Sequence, residues 1–349
     1  MTPASAATLL LEALGGAGQR GLLVADENCD DFPFARLGQT PVLSNRADIA
    51  ARARAAGASA HFSDFDFSPW QPGELDLIAC RVAKEKAVVH HLANRAAALL
   101  APGGRLVLVG AKQEGIKTFA KTLAARLGGE SHTEKHGALY RAELTHGSPP
   151  GEPLDDRDYD HLRPVFALGG KPVLSKPGLF GWDRIDPGSA LLATALDDFL
   201  AGFRQPPARL LDLGCGYGYL SLVAAAKGDF AITATDNCAA ALLACRGNFT
   251  ALGIAGEVVA ADAGDALPGP FDAVLCNPPF HQGFQAERGL TEKFLASTRR
   301  LLAPKGRALF VVNGFVPLES LAAGLFGGVR VLDNDGRFKV IELASPRSP

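Results

Sequence analysis

Asn277-Pro278-Pro279-Phe280 is the stretch of this chain best equipped for chemistry. It follows directly on Phe271-Asp272-Ala273-Val274-Leu275-Cys276, an apolar run that predicts a buried strand. A proline pair neither continues a sheet ladder nor starts a helix freely, so it fixes a stiff turn at the strand's carboxyl end. Open α/β sheets bind their ligands at that end. A rigid turn presenting one amide side chain, one proline carbonyl and one aromatic face suits a planar amine. The oxygens of Asn277 and Pro278 accept its two N–H bonds, and the ring of Phe280 stacks on its heterocycle. A proline-rich surface turn would have the same composition, so the assignment needs a second motif.

That motif lies upstream. Ala208-Arg209-Leu210-Leu211-Asp212-Leu213 predicts a short buried strand, Gly214-Cys215-Gly216-Tyr217-Gly218 a loop, and Tyr219 to Lys227 a helix. Strand, glycine loop and helix form a nucleotide-binding geometry in which missing Cβ atoms let a cofactor approach the backbone. A second strand, Ala231-Ile232-Thr233-Ala234-Thr235, ends at Asp236, close to the spacing at which a carboxylate holds ribose hydroxyls. A third, Glu257-Val258-Val259-Ala260-Ala261, ends at Asp262. Tyr219 stands where a dinucleotide GxGxxG requires its last glycine, which argues against NAD and pyrophosphate.

The elements that must position these residues recur. Leu99 to Gly110, reading LLAPGGRLVLVG, parallels Leu301 to Val312, reading LLAPKGRALFVV, and Asp76 to Cys80 parallels Asp272 to Cys276. The two offsets, 202 and 196 residues, predict two copies of one domain. In this pairing Asn277-Pro278-Pro279-Phe280 falls on Arg81-Val82-Ala83-Lys84. The glycine loop falls near Asp26-Glu27-Asn28-Cys29, and Asp236 falls near Asn45. The first copy thus keeps the scaffold and lacks both loops, so it is expected to bind no cofactor and do no chemistry. Residues 81–141 carry eleven Lys/Arg against four acids. Such a surface docks RNA phosphates if the charges share a face, or is a solvated surface balanced elsewhere.

At 349 residues two domains are expected, and 47% hydrophobic content is ample for two cores. No apolar run approaches a membrane span, and Glu12 together with the lack of a basic start argues against a signal peptide. Six cysteines without CxxC spacing point to buried thiols in a reducing cytoplasm rather than bridges or metal ligands, and no metal is expected. A net charge of −2 is not that of a whole-chain polyanion binder. Residues 146–164, rich in Pro, Gly and acids, predict a linker that crosses between the halves or wraps one of them. The expected layout is a first domain over 1–145 and a second over 165–349.

Asp212-x-Gly214-x-Gly216-x-Gly218, Asp236, Asp262 and Asn277-Pro278-Pro279-Phe280, in this order, resemble class I S-adenosylmethionine-dependent methyltransferases. Four further stretches resemble the bacterial rRNA guanine-N2 methyltransferases of the RsmC/RlmG type. They are Phe180 to Ser189 (FGWDRIDPGS), the extension of the turn through His281 to Gly283, Asn313-Gly314-Phe315-x-Pro317, and Gly336-Arg337-Phe338-Lys339-Val340. The resemblance is specific over 165–345 and looser before, where it rests on Lys84-x-Lys86 and Leu99 to Gly110. It implies tandem duplicated Rossmann-like methyltransferase domains of the α/β class, the second a seven-stranded, mostly parallel sheet with an antiparallel edge hairpin.

The resemblance also implies roles. The glycine loop would pass under the methionine part of S-adenosylmethionine, Asp236 would accept the ribose hydroxyls, and Asp262 with Ala263 would hold the adenine. Asp212 would face the methionine amino group directly or through water, and Gly188 and Ser189, in a helix beginning near Pro187, would close the other side. Asn277, Pro278 and Phe280 would act on the amine. His281 would be a base or, better, a substrate-loop or structural residue. Phe180 and Trp182 would wall the pocket or pack in the core. Arg337 and Lys339 would contact phosphate or lie on a solvated strand, and Lys84, Lys86 and Lys117 would dock RNA. The expected reaction is methylation of guanine N2 in ribosomal RNA or a ribosomal subunit, most naturally the small one. The turn also admits large-subunit guanine, adenine N6 or a protein glutamine. A nicotinamide oxidoreductase and a non-catalytic RNA-binding assembly factor are the rivals from other classes.

Overall fold

Each half is built around two parallel apolar strands: Leu75–Arg81 beside Leu100–Ala111, and Phe271–Cys276 beside Leu302–Asn313. Runs of Val, Leu, Ile, Ala and Cys suit strands covered on both faces. A computed structural model describes residues 5–16, 18–279 and 284–347. It divides into two compact units, Met1–His161 and Leu162–Pro349.

The first unit holds strands β1 (Gly21–Ala25), β2 (Val42–Ser44), β3 (Ala60–Phe62), β4 (Leu75–Arg81), β5 (Leu100–Ala111), β6 (Ser131–His136) and β7 (Leu139–Thr145). Its helices are α1 (Ala6–Leu14), α2 (Ala47–Ala55), α3 (Lys86–Leu99) and α4 (Ile116–Leu127). The second unit opens with a hairpin, β8 (Arg163–Leu168) and β9 (Lys171–Ser175). Its sheet strands are β10 (Arg209–Leu213), β11 (Ala231–Asp236), β12 (Gly256–Ala260), β13 (Phe271–Cys276), β14 (Leu302–Asn313), β15 (Phe326–Asn334) and β16 (Phe338–Pro346). Its helices are α5 (Pro187–Thr194), α6 (Leu196–Ala201), α7 (Tyr219–Ala225), α8 (Ala239–Leu252), α9 (Phe284–Leu301) and α10 (Leu318–Ala322).

The sheets have one topology. The orders are β3-β2-β1-β4-β5-β7-β6 and β12-β11-β10-β13-β14-β16-β15: five parallel strands, then one strand running against them (β7, β16) and an edge strand (β6, β15) that turns back to their direction. Neighbouring residues of a strand point to opposite faces, so each sheet carries two apolar layers. In the second unit Leu210, Ala273 and Leu309 pack with Leu192, Phe199 and Phe249, while Leu211, Val274 and Phe310 pack with Phe294, Leu295 and Leu318. The repeated LLAPxGR segments also share a defect: the β4–β5 register shifts between Leu75 and Leu77, and the β13–β14 register between Phe271 and Ala273. Each arginine then reaches a glutamate on the antiparallel strand, Arg105 to Glu143 at 2.9 Å and Arg307 to Glu342. The duplication read in the sequence is therefore present down to an irregularity.

The structure decides between alternatives left open by the sequence. Residues 146–161 wrap the first unit as a strap. Asn94 on α3 donates to the Leu154 carbonyl (2.8 Å) and accepts from the Leu154 amide (2.9 Å), and Arg126 donates to the Gly151 carbonyl (2.6 Å). Tyr159 is fully buried, its ring 4.4 Å from that of His91 and its hydroxyl donating to Asp64 at 2.7 Å. Composition marks the absence of a helix or strand; it does not mark an absence of contacts. The basic residues of 81–141, in turn, do not form one free face. Arg81 pairs with Glu114, Arg95 with Asp160, Arg105 with Glu143, and Arg141 with Glu134 and Glu143. Most of the arginine charge is spent inside the unit, and the charge left to solvent belongs to lysines.

Candidate active site

Strand β10 delivers Asp212 to the carboxyl edge of the second sheet, where it is buried. One carboxylate oxygen accepts from the Ser221 amide (3.0 Å) and the Ser221 hydroxyl (2.7 Å), both from α7. The other oxygen, Oδ1, is equally buried and has no partner among the described residues. Burial pushes this carboxyl up to about 6, against the pull of the Ser221 bonds, and the nearby Asp236 charge adds to the rise. An orphaned buried carboxylate oxygen is costly unless something binds it. A cation fits it.

The glycine loop follows. Gly214 and Gly218 sit at φ +82° and +92°, a region that side chains other than glycine avoid. A Cβ on Gly218 would lie 2.8 Å from the Cys245 sulfur of α8, so the helix also forbids one. Asp236, at the tip of β11, ties the loop down: it accepts from the Gly216 amide (3.0 Å) and the Cys238 amide (2.9 Å). A second tie was not legible beforehand. Asn248 of α8 donates to the carbonyls of Tyr217 (2.8 Å) and Leu174 (2.9 Å), fastening the loop to the β8–β9 hairpin.

Strand β13 pairs with β10, Cys276 opposite Leu213, so the turn at Asn277 emerges beside the glycine loop. A Cβ on Gly214 would stand 3.8 Å from the Asn277 carbonyl oxygen. The side chain of Asn277 is held by α5. Its Nδ2 donates to Asp186 Oδ2 (2.8 Å) and Ser189 Oγ (2.7 Å), while Asp186 also caps the helix by accepting from the Ser189 amide (2.9 Å). A carboxylate only accepts, so this partner determines which end of the amide is nitrogen. The result is that Asn277 Oδ1 is buried and unpartnered among the described residues.

The sequence-predicted residues thus separate into groups. Asp212, Gly214, Gly216, Gly218, Asp236, Gly188, Ser189 and Asn277 meet at one edge of the second sheet. Pro278 is buried beside Asn277. Gly188 lies against Phe338, whose ring would stand 3.3 Å from a Cβ there, and Arg337 lies 4.9 Å over that ring. Asp262 and Ala263 follow the third strand, but Asp262 is paired with Lys293 of α9. Lys339 is a correction. Its ammonium is bound to Glu319 at 2.8 Å and its side chain is mostly covered, so it offers no free charge. Alternation put Lys339 on a face, and α10 then supplied the neutralising acid. Phe180 is 78% exposed and walls nothing by itself. Lys84, in the first unit, stands 3.7 Å from Glu27, and Lys117 lies 4.8 Å over Tyr140. Lys86 is exposed at the first turn of α3. Phe280 and His281 lie outside the described residues.

Sequence reasoning gave no role to Asp186, Ser221, Asn248 or Lys293. Asp186-Pro187 did carry a signal, a capping acid before a proline at the first helical position. The others act across 9 to 74 residues through folded contacts and carried none.

A model of the methyltransferase small domain matches residues 170–342, and one of its N-terminal partner domain matches residues 16–152. Ribosomal RNA small subunit methyltransferase C of Pseudomonas putida (strain W619) is 31% identical over 93% of this chain and 95% of the relative. That of Pseudomonas aeruginosa (strain LESB58) is 33% identical over 91% and 93%. The chain belongs to the ribosomal RNA small subunit methyltransferase C family. The family's two-domain architecture appears in a solved structure as well: the T. thermophilus 16S rRNA N2 methyltransferase RsmC, in complex with AdoMet and guanosine, superposes with a TM-score of 0.83. It is 24% identical, and the match covers 97% of this chain and 91% of that one. The family resemblance and the duplicated fold read from the sequence both hold.

Proposed function

We propose that the protein transfers a methyl group from S-adenosylmethionine to the exocyclic N2 of a guanine in small-subunit ribosomal RNA. Family membership supports the reaction and the substrate class. The observation that carries the reading is Asn277, whose amide nitrogen is tethered by Asp186 and Ser189 while its oxygen stays buried beside the glycine loop, unpaired among the described residues.

The residues fit the cofactor. Asp212 Oδ1 takes the amino group of the methionine part, Asp236 retains lone pairs for ribose hydroxyls, and Asp262 and Ala263 border the adenine. Gly214, Gly216 and Gly218 leave room at the backbone, and Gly188 does so from α5. When bound, S-adenosylmethionine supplies an electrophilic sulfonium methyl. The purine amine is a poor nucleophile because its lone pair is delocalised into the ring. Asn277 Oδ1 accepts one of its hydrogens and the Pro278 carbonyl the other, which favours a pyramidal nitrogen with its lone pair directed outward. Both bonds strengthen as positive charge develops on that nitrogen, so they stabilise the transition state more than the ground state. Because Asp186 and Ser189 hold the amide, little reorganisation is needed. The methylated nitrogen then loses its proton readily, and no strong base is required. The roles read from the sequence for Phe280, stacking on a base flipped from its helix, and for His281, contact with the substrate, fall on residues outside the described ones. The first unit is a docking module without chemistry, and the protein works in the cytoplasm on ribosomal RNA or a ribosomal subunit. Among the described residues no helix is long and apolar enough to cross a membrane.

The test incubates the protein with radiolabelled S-adenosylmethionine and separated ribosomal subunits from a strain lacking it. Label is expected as N2-methylguanosine in small-subunit RNA. Label in adenosine, in large-subunit RNA or in protein would replace this reading.

A further inference from the structure

The first unit has a groove unrelated to the strand tips. It lies between α4 and the edge strand β6, has a volume of about 480 Å³, and is lined chiefly by Lys117, Lys121, Ser131, Thr133, Lys135 and Tyr140. Lys117 and Lys121 are one helical turn apart and share a face. Strand alternation brings Ser131, Thr133 and Lys135 to the same side. It turns Glu134, the one acid of β6, to the other side, where it meets His132 (3.2 Å), His136 (3.4 Å) and Arg141 (3.3 Å). Among the described residues no carboxylate lies within 4.0 Å of the three lysine ammoniums, and Tyr140 holds Lys117 in place beneath its cation. The second unit does not repeat this arrangement. Its corresponding edge strand β15 carries one cation, Arg330, already bound to Glu342 at 2.8 Å, and the adjoining α10 has five residues.

We infer that this groove seats the sugar-phosphate backbone of an RNA strand. Three ammoniums match phosphate charge, and two hydroxyls are suited to phosphate oxygens and ribose hydroxyls. The inference rests on the reading that the substrate is RNA. It relocates docking from the α3 end, where Lys84 faces Glu27, to the α4–β6 groove.

The experiment compares the full-length protein with a Lys117→Glu/Lys121→Glu/Lys135→Glu variant and with the corresponding Gln variant, using an in-vitro transcript of small-subunit RNA. Each lost phosphate contact flattens the slope of log affinity against log salt by ~0.7–0.9, so the Glu variant should lose about two units of slope and roughly tenfold or more in affinity. The Gln variant should show the same flattening with a smaller loss. KM for RNA should rise while kcat at saturating RNA and the Kd for S-adenosylmethionine hold within about twofold. Unchanged slope and KM in both variants would overturn the proposal. So would a loss confined to polyglutamate binding, which would assign the groove to an acidic protein segment. Wild-type protein that binds the transcript with this groove-dependent slope, yet forms no N2-methylguanosine, would uphold the groove and remove the catalytic reading instead.

Discussion

Among the described residues two buried oxygens lack partners: Asp212 Oδ1 on β10 and Asn277 Oδ1 in the turn after β13, the strand that pairs with β10. Leaving such groups unpaired costs ~1–3 kcal/mol each, which is tolerable where a ligand completes them. Removing the Asn277 amide should therefore affect the reaction and not cofactor capture. Asn277→Ala is expected to lower kcat by roughly 10²–10³-fold, with the Kd for S-adenosylmethionine within a few-fold, measured by single-turnover assay and calorimetry. Asp186→Ala leaves the amide but frees its orientation, and should lower kcat by up to about 10²-fold. Asp212 makes a pH prediction. Its folded-state value of about 6 lies above the ordinary carboxylate value of 3.8, so it takes up a proton as pH falls through 6. Cofactor affinity should weaken below about pH 6, because the protonated acid no longer offers a charge to the amino group. Stability moves the other way. The folded state binds this proton more readily than the unfolded one, so the contribution of this acid to ΔG of unfolding rises as pH falls from 7 toward 4. Urea titrations of wild type against Asp212→Asn across that range should show the difference, and a flat difference would contradict the burial argument.

The glycine loop depends on its neighbours as much as on its own composition. Gly218 is constrained twice, by its left-handed φ and by the Cys245 sulfur 2.8 Å from where a Cβ would stand. Gly218→Ala should cost about 1–3 kcal/mol for the backbone alone, with overpacking added. Adding Cys245→Ala should recover only the packing part, as read from urea midpoints. The sequence placed the loop correctly because strand, glycines and helix form a local pattern. It missed the β8–β9 hairpin, which that loop reaches through Asn248, because short strands with charged and proline residues such as Arg163-Pro164 and Lys171-Pro172 resemble coil.

At the scale of the whole chain, two copies of one topology have diverged at their tips. Where Asn277 stands just past the end of β13, the first unit has Arg81 at the end of β4, bound to Glu114 at 3.0 Å. Asp26, near the position of the glycine loop, is buried and pushed up to about 7. The first unit keeps its strap through Tyr159. Tyr159→Ala should destabilise that unit by about 3–5 kcal/mol and lower its urea transition while leaving the Kd for S-adenosylmethionine unchanged. A loss of cofactor affinity would show that the strap serves more than its own unit.

The amino-acid order by itself determined the duplication, the strand–loop–helix pattern and the stiff turn at Asn277, since each is written in neighbouring residues through hydrophobic period, glycine spacing or proline stiffness. The tertiary structure alone decided that Asp186 and Ser189, some ninety residues before Asn277, orient its amide, that Glu319 neutralises Lys339, and that the free lysines gather beside α4. The physical reason is range: backbone preference acts over a few residues, whereas a hydrogen bond or ion pair forms between whatever groups the packed sheet brings within 3 to 4 Å.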